Sequence, residues 1–440
     1  MVQNIVILAG SYIFYGWWDW RFLGLIVLSS SVNYAAGIGI KNEARSGRRK
    51  LLLAAGICTN LGILGVFKYY NFFVENIFRM IETFGFQADA PLFNMILPIG
   101  ISFYTFQSMA YTIDVYRGDA EAELNPITFF AFISFFPQLV SGPIERANHL
   151  LPQFKRPRIV TENNVREAIW LLCWGFFLKE AISDIAAVFV DLAFTESQTS
   201  GWMTILGTLA FTLQIYCDFH AYSIIARGAA LLLGFELVWN FNLPYFATSV
   251  QDFWRRWHIS LSTWLRDYLY ISLGGSRLGR GRTYINLMVT MLLCGLWHGA
   301  AWNFVLWGLL HGAALSIGRL SHEARLPVAR VPGALRWFGT MSIVVAGWFL
   351  FRCQSWDTAI NMLGSLGDMA WEQRHTSFLV NLVALWFPVA AIEIWQFRKS
   401  DQLFVLSLGR GAYSVLTACV FTFVFITFRR FEYAFIYFQF

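Results

Sequence analysis

Apolar runs recur along almost the whole chain, and the polar stretches between them are short. A helix needs about 20 consecutive apolar residues to cross the hydrocarbon of a bilayer. Runs of that kind predict spans near 3–16, 22–40, 50–78, 97–115, 126–141, 165–195, 202–235, 283–318, 335–352, 377–397 and 410–432. The fold class expected is an all-α polytopic integral membrane protein with about ten to twelve membrane helices. One segment breaks the pattern. Residues 250–282, VQDFWRRWHISLSTWLRDYLYISLGGSRLGRGR, are strongly aromatic yet carry Asp252, Arg255, Arg256, His258, Arg266 and Asp267. That mixture is too polar for a lipid-facing span. It fits a re-entrant or interfacial helix, or a helix lining a water-filled cavity, where polar structure is tolerated at membrane depth. No internal repeat or low-complexity tract interrupts the series, and the chain reads as a single domain, 1–440.

Composition sharpens the membrane reading. Hydrophobic residues make up 57% of the chain and charged residues 14%, against about 25% charged in a soluble domain. The net charge of +6 would raise the question of nucleic acid in a soluble protein. Here Lys and Arg cluster in short loops between apolar runs, which is the positive-inside pattern, and the partner implied is the lipid bilayer rather than nucleic acid. The clearest cytoplasmic loop is 41–50, KNEARSGRRK; FKRPR at 154–158, Arg277, Arg280 and Arg282, and Arg398 with Lys399 are further ones. With 41–50 inside, two short spans joined near residues 18–21 bring the N-terminus inside as well. The opening MVQNIVILAGSYIFYGWW lacks a basic n-region and a small-residue cleavage site and reads as a retained span. Six cysteines, Cys58, Cys173, Cys217, Cys294, Cys353 and Cys419, are scattered singly without CxxC spacing. They read as small core hydrophobes, with no disulfide framework and no metal site.

Candidate chemistry concentrates in the histidines. The stretch 292–312, LLCGLWHGAAWNFVLWGLLHG, is apolar enough for a bilayer and still carries His298 and His311, and a polar side chain there is costly without a partner, water or a role. On one continuous helix the two rings would sit about 140° apart in azimuth and roughly 20 Å apart along the axis, too far to share a metal ion. An HExxH pair is absent, which argues against a zinc hydrolase. His149, His322 and His375 fall in polar loops and read as solvated; His220 and His311 read as hydrogen-bonded to a neighbouring helix. His258 and His298 stand out because each follows a tryptophan, Trp257 and Trp297, and His298 precedes a Gly and two Ala that allow close backbone approach. An imidazole walled by indoles is favoured in its neutral form, the form that accepts a proton as general base. No Ser or Cys stands in a GxSxG elbow, so such a base would act on a substrate hydroxyl.

These residues carry a family resemblance. DFWRRWHISLSTWLRDYLYISLGG (252–275) followed by GLWHGAAWNFVLWGLLHG (295–312) resembles the membrane-bound O-acyltransferase superfamily. More narrowly, the chain is similar to the bacterial branch that includes alginate O-acetyltransferase and the D-alanine transferase of teichoic acids. LPIGISFYTFQSMAYTIDVYRG (97–118), FFPQLVSGPIER (135–146), NFNLPYFATS (240–249) and the terminal FIYFQF (435–440) match that branch too. The resemblance implies a multi-pass enzyme of a bacterial inner membrane whose helices surround a central cavity. There an acyl group passes from a cytoplasmic thioester to a hydroxyl of an exported polysaccharide, directly or through a periplasmic or membrane-anchored SGNH-type partner. It places the family's invariant histidine on His298 and its second conserved polar position on His258. Trp257, Trp297 and Arg256 are then expected along the donor tunnel, with plain packing as their alternative. Acetyl-CoA is the donor expected first and an acyl carrier thioester second, with no permanently bound cofactor and no metal.

Two features depart from the family pattern. A hydrophobic segment usually precedes the part matching SYIFYGWWDWRF, where this chain almost begins, so the expectation is either a missing first helix or an internal start. The stretch usually resembling CDFSGYSD reads CDFHAYSI (217–224), which points to altered local packing and acceptor specificity. Asp218, Asp267 and Arg266 read as structural ion pairs before catalytic groups, and Gly274 with Gly275 reads as a loop before a phosphate site. A transporter or flippase would show inverted repeats, which the sequence lacks. The intact WHG and RWHxS motifs argue against a non-catalytic scaffold of an export complex.

The orientation has a direct test. A cysteine placed at Ser46, in a background without other exposed cysteines, should react with a membrane-impermeant thiol reagent only after permeabilisation. Labelling in intact cells would reverse the assignment.

Overall fold

The computed structural model describes the chain except residues 86–88, 95, 196–199, 328–329, 354, 429–432 and 437–440. Among the described residues every regular element is helical. They form two compact units, the first made of Met1–Val160, Leu233–Val238 and Gly299–Ala301 and the second of the remainder.

The first unit opens with α1 (Val2–Asp19) and α2 (Leu23–Asn42). The junction falls where the sequence places it. Asp19 is extended, with φ −160°, and its carboxylate accepts from the Arg21 N–H at 3.0 Å to start a 3₁₀ turn. Helices α3 (Ser46–Leu64) and α4 (Tyr70–Thr83) follow, joined by a π turn at Gly65–Tyr69. Next come α5 (Ile101–Arg117), α6 (Pro126–Ile133), α7 (Phe136–Leu139) and α8 (Ala147–Lys155). Gly100 starts α5 at φ +74°, where a Cβ would lie 2.6 Å from the Leu139 carbonyl oxygen, so the approach demands glycine. The single span expected at 126–141 is instead the two short helices α6 and α7. Asn125 and Pro126 start the first, the Asn125 carboxamide accepting from the Thr128 N–H at 3.2 Å. Pro137 lacks the N–H needed to continue the ladder into the second. Helices α2, α3 and α5 are tied by buried polar pairs: Ser29 donates to Asn60 Oδ1 at 2.7 Å and Thr112 to Asn33 Oδ1 at 2.6 Å. Such pairs hold apolar helices together where no water competes.

The second unit is built around α11 (Gly201–Leu232). Its 32 residues extend roughly 48 Å and are buried on most sides. Helices α9 (Glu162–Phe176) and α10 (Asp184–Thr195) pack on it through small residues. A Cβ on Gly207 would lie 2.3 Å from that of Ala193, and one on Gly228 3.2 Å from the Ala168 carbonyl oxygen. The polar aromatic segment resolves into α12 (Val250–Arg256) and α13 (Ile259–Trp264), with a π turn at Leu265–Tyr270. At seven and six residues these helices are too short to span, in keeping with the non-spanning expectation. Then come α14 (Arg280–His298), α15 (Trp302–Glu323), α16 (Gly333–Arg352), α17 (Trp356–Gly364), α18 (Gln373–Lys399) and α19 (Arg410–Thr427).

Among the described residues six helical stretches are long and apolar enough to cross a membrane: Val2–Asn42, Ser46–Thr83, Trp302–Glu323, Gly333–Arg352, Gln373–Lys399 and Arg410–Thr427. The chain is thus a multi-pass helical membrane protein, with six qualifying stretches beside the ten to twelve helices expected. Two of the six run to 41 and 38 residues and carry an internal break, at Asp19 and at Gly65–Tyr69.

The expected continuous span 283–318 does not form. The chain leaves the helix after His298 and α15 folds back on α14. Glycines make this possible: a Cβ on Gly295 would lie 2.1 Å from the Phe304 carbonyl oxygen, and one on Gly308 2.4 Å from that of Met291. Alanine gains about 1 kcal/mol over glycine inside a helix, while overpacking costs about 1–3 kcal/mol, and a backbone oxygen cannot turn aside as a side chain does. Gly295→Ala is therefore expected to lower the thermal unfolding midpoint in detergent. Gly318→Ala, on the same helix pair with open space around it, should leave the midpoint unchanged or raise it; equal shifts in the two variants would refute the hairpin contact.

Candidate active site

Helix α14 ends on His298, and the hairpin sets the ring against aromatic walls. Its centroid lies 5.0 Å from that of Trp297, 5.1 Å from Trp307 and 5.3 Å from Phe351. His258 precedes α13, with its ring 4.5 Å from Phe219 and 5.8 Å from Trp297. Both imidazoles are buried. Trp297 thus touches both histidines singled out from the sequence. His258 sits in the left-handed region, φ +42° and ψ 56°, a conformation that costs an L-residue about 1–2 kcal/mol and that clusters at functional sites.

The hairpin also corrects the expectation for His311. On a continuous helix it would stand far from His298, but here both rings lie on Trp307, His311 at 4.8 Å from it. Trp254 and Phe253 complete its surroundings at 5.2 and 6.3 Å. Neither ring nitrogen of His311 has a hydrogen-bond partner among the described residues, so the expected bond to a neighbouring helix is not there. The reason is local: its neighbours are indoles, a phenyl ring and Gly347, whose missing Cβ leaves room 2.7 Å from Nε2. His220 likewise stacks on Tyr216, with centroids 5.3 Å apart, and its Nδ1 has no hydrogen-bond partner among the described residues.

The expected donor-tunnel residues divide. Trp297 joins the histidines. The buried Trp257 ring packs against Trp348 at 4.7 Å, Phe241 at 5.0 Å and Phe253 at 5.6 Å. Arg256 pairs with Asp252 at 2.9 Å and donates to the Asn242 carbonyl at 3.3 Å. Trp307 and Phe351 were not singled out from the sequence. The first had a signal, since Trp307 stands one turn before His311 and so shares its face; Phe351 comes from α16, and no local pattern marks it.

Other polar residues form structural pairs. Asp218 accepts from Lys179 at 2.9 Å and from the Ile436 N–H at 2.6 Å, while Lys179 also meets Asp184 at 2.7 Å. Asp267 pairs with Arg266 at 2.7 Å. Gly274 and Gly275 form a turn at positive φ whose Gly275 carbonyl accepts from Asn286 at 2.9 Å. The three histidines placed in polar loops by sequence all lie on helices; His322 is in the last turn of α15, where it is exposed as expected. His375 is fully buried in the first turn of α18, where Nδ1 accepts from the Glu372 N–H at 2.9 Å and Nε2 meets the Ser200 hydroxyl at 2.9 Å. His149 lies on α8, its Nδ1 2.7 Å from Glu145. A helix start needs its orphan N–H groups capped, which is why a polar cluster such as His375 with Glu372 can be buried. The last four residues of the FIYFQF match lie outside the described residues.

The arrangement offers two buried imidazoles in contact with one indole, and the sequence holds no Ser or Cys in a GxSxG elbow. A neutral imidazole can accept a proton at one ring nitrogen and later return it. Cys294 lies one turn before His298 and is buried.

Known proteins share this chain. The model of the membrane-bound O-acyltransferase family matches residues 121–354, which hold all three of these histidines. The chain is 42% identical over 384 residues to the probable alginate O-acetylase AlgI of Azotobacter vinelandii, covering 86% of this chain and 76% of that protein. It is 36% identical over 394 residues to the peptidoglycan O-acetyltransferase of Helicobacter pylori, covering 82% and 73%. To the teichoic acid D-alanyltransferase of Bacillus subtilis it is 26% identical over 279 residues, covering 61% and 69%. With a family match over more than half its length and relatives of this similarity, the chain belongs to the membrane-bound O-acyltransferase family and is an acyltransferase.

Proposed function

We propose that this protein, acting as one domain over 1–440, moves an acetyl group from a cytoplasmic thioester to hydroxyls of an exported polysaccharide. It would do so in a bacterial inner membrane. Acetyl-CoA is the donor favoured, with an acyl carrier thioester second; the acceptor is an alginate-like polymer, cellulose or peptidoglycan. Transfer runs directly or through a periplasmic or membrane-anchored SGNH-type partner. The names of the most similar relatives support acetyl over D-alanyl transfer, since those above 30% identity are O-acetylating proteins. The observation that carries the site is that the His258 and His298 rings both lie against Trp297.

In the proposed mechanism the acceptor hydroxyl meets the thioester carbonyl in a central cavity beside His298. The imidazole takes the hydroxyl proton as the oxygen attacks the carbonyl carbon, forming a tetrahedral oxyanion. His258 orients the reactants or donates its N–H to the developing oxyanion. Collapse breaks the carbon–sulfur bond, and the departing thiolate takes the proton back from His298. The products are the acetyl ester and free thiol, and the enzyme ends in its starting protonation state. Trp297 and the neighbouring rings exclude water that would hydrolyse the thioester.

General-base catalysis contributes about 10²- to 10⁴-fold, so His298→Ala should lower acetyl transfer by that order in a folded protein that still binds the donor. His258→Ala should be impaired as well. The double variant should be little worse than the poorer single one, because residues acting in one step are non-additive. Cys217→Ala and Cys294→Ala should stay active. Transfer of radiolabelled acetyl from acetyl-CoA to a hydroxyl acceptor, by purified enzyme in micelles with its partner where required, reads all of these. Wild-type turnover by His298→Ala would reject the mechanism, and label trapped on a cysteine would replace it with a covalent one.

A further inference from the structure

The left-handed turn at His258 has a cause elsewhere in the sequence. A non-glycine residue holds such a conformation only when its surroundings over-determine it. The two residues after His258 both bond to Asn240: the Ile259 N–H donates to the Asn240 carbonyl at 2.9 Å, and Ser260 donates to Asn240 Oδ1 from its hydroxyl at 2.6 Å and its N–H at 3.3 Å. Asn240 is itself buried, and its Nδ2 donates to the Ser223 hydroxyl at 3.1 Å, anchoring it to α11. The Asn242 N–H closes the other side on the Arg256 carbonyl at 2.9 Å. The irregular stretch 240–242 therefore grips the chain on both sides of His258, and through Ser223 it ties that grip to the longest helix of the unit.

We propose that Asn240 is a positioning residue for acyl transfer: it fixes the left-handed turn that sets the His258 imidazole against Trp297, the ring that His298 also contacts. The chemistry selects an amide. The side chain must accept from two donors on Ser260 through one atom and donate to Ser223 through another, at a length that neither Ala nor Ser supplies. Aspartate keeps the acceptor for both Ser260 donors and allows the Ser223 hydroxyl to turn and donate; leucine keeps the volume and loses every side-chain polar bond. Released from the clamp, residue 258 returns to an ordinary backbone conformation and the ring leaves its place. A misplacement of about 1 Å at a reacting group is enough to cost about 10²-fold.

This inference rests on the reading of His258 as part of the transfer site, and the test separates the two. With purified enzyme in micelles and acetyl-CoA as donor, Asn240→Leu should lower kcat by about 10²-fold while the KM for acetyl-CoA stays unchanged. Asn240→Asp should recover most of the loss. Placed on His258→Ala, Asn240→Leu should add nothing further. A full additional loss in that background would mean that Asn240 serves the fold and not His258, and would overturn the inference. Wild-type turnover by Asn240→Leu beside an impaired His258→Ala would overturn it as well, whereas an active His258→Ala would remove the reading beneath it. Should Asn240→Leu fail to fold, Ser260→Ala, which removes the 2.6 Å bond to Asn240, is expected to show a smaller fall of kcat at constant KM and the same lack of additivity; unchanged kcat there would overturn the inference.

Discussion

Backbone contact between α14 and α15 is the constraint on which the second unit's chemistry depends. Between apolar helices in a bilayer no hydrophobic force remains, so association rests on close packing and on polar pairs. Here the packing is of main chain on main chain, at Gly295 against Phe304 and at Gly308 against Met291, with Gly312 facing Met288 and Met291. Once the hairpin closes, the end of one helix and the second turn of the next are neighbours. His298 and His311 then flank Trp307, and Phe351 of α16 closes on the same ring at 5.8 Å. In the proposed mechanism that aromatic enclosure keeps the thioester from water until its acceptor arrives.

Charge in the same unit is treated differently from the histidines. Lys179, Asp184 and Asp218 are all buried, and each meets an opposite charge within 3 Å. Removing one partner from such a cluster leaves an uncompensated charge in a medium that cannot solvate it. A neutral imidazole carries no such penalty, and that form is the one a general base requires. Exclusion of water thus forces pairing on the charged groups but not on the neutral rings. The departure from the family pattern at 217–224 lies close by. Ile224 is buried, with its Cγ1 3.1 Å from where a Cβ on Gly175 would be, and His220 stacks on Tyr216. An acidic residue at 224 would face the α9 surface at that glycine, so the exchange is one of helix packing.

Much of the architecture was legible because membrane helices announce themselves. Length and hydropathy located α1, α2, α5, α11, α16, α18 and α19 to within a few residues, since a run of apolar residues has one low-energy solution in lipid. The polar aromatic segment 250–282 was recognisable as something other than a span from its arginines alone. Breaks inside apolar runs were harder. Pro137 divided one expected span into two short helices. The glycines of the hairpin are compatible with either a straight helix or a turn, so 283–318 looked continuous until the fold was seen.

The sequence by itself determined the class of protein, the family through its motifs, and the two histidines on which the mechanism is built, because residue type and spacing along a membrane helix are local properties. Only the tertiary structure decided what those histidines touch. That Trp297 touches His258 as well as His298, that His311 shares Trp307 with His298, and that His375 caps a helix in a buried pocket with Ser200 are contacts that join residues up to 175 apart in sequence. Asn240 belongs with them: nothing in NFNLPYFATS says that its amide will bond to Ser260, 20 residues on. Periodicity records which face of a helix is apolar, but which side chains meet across helices is fixed by where backbones approach closely, and that is settled by the packing of the whole unit.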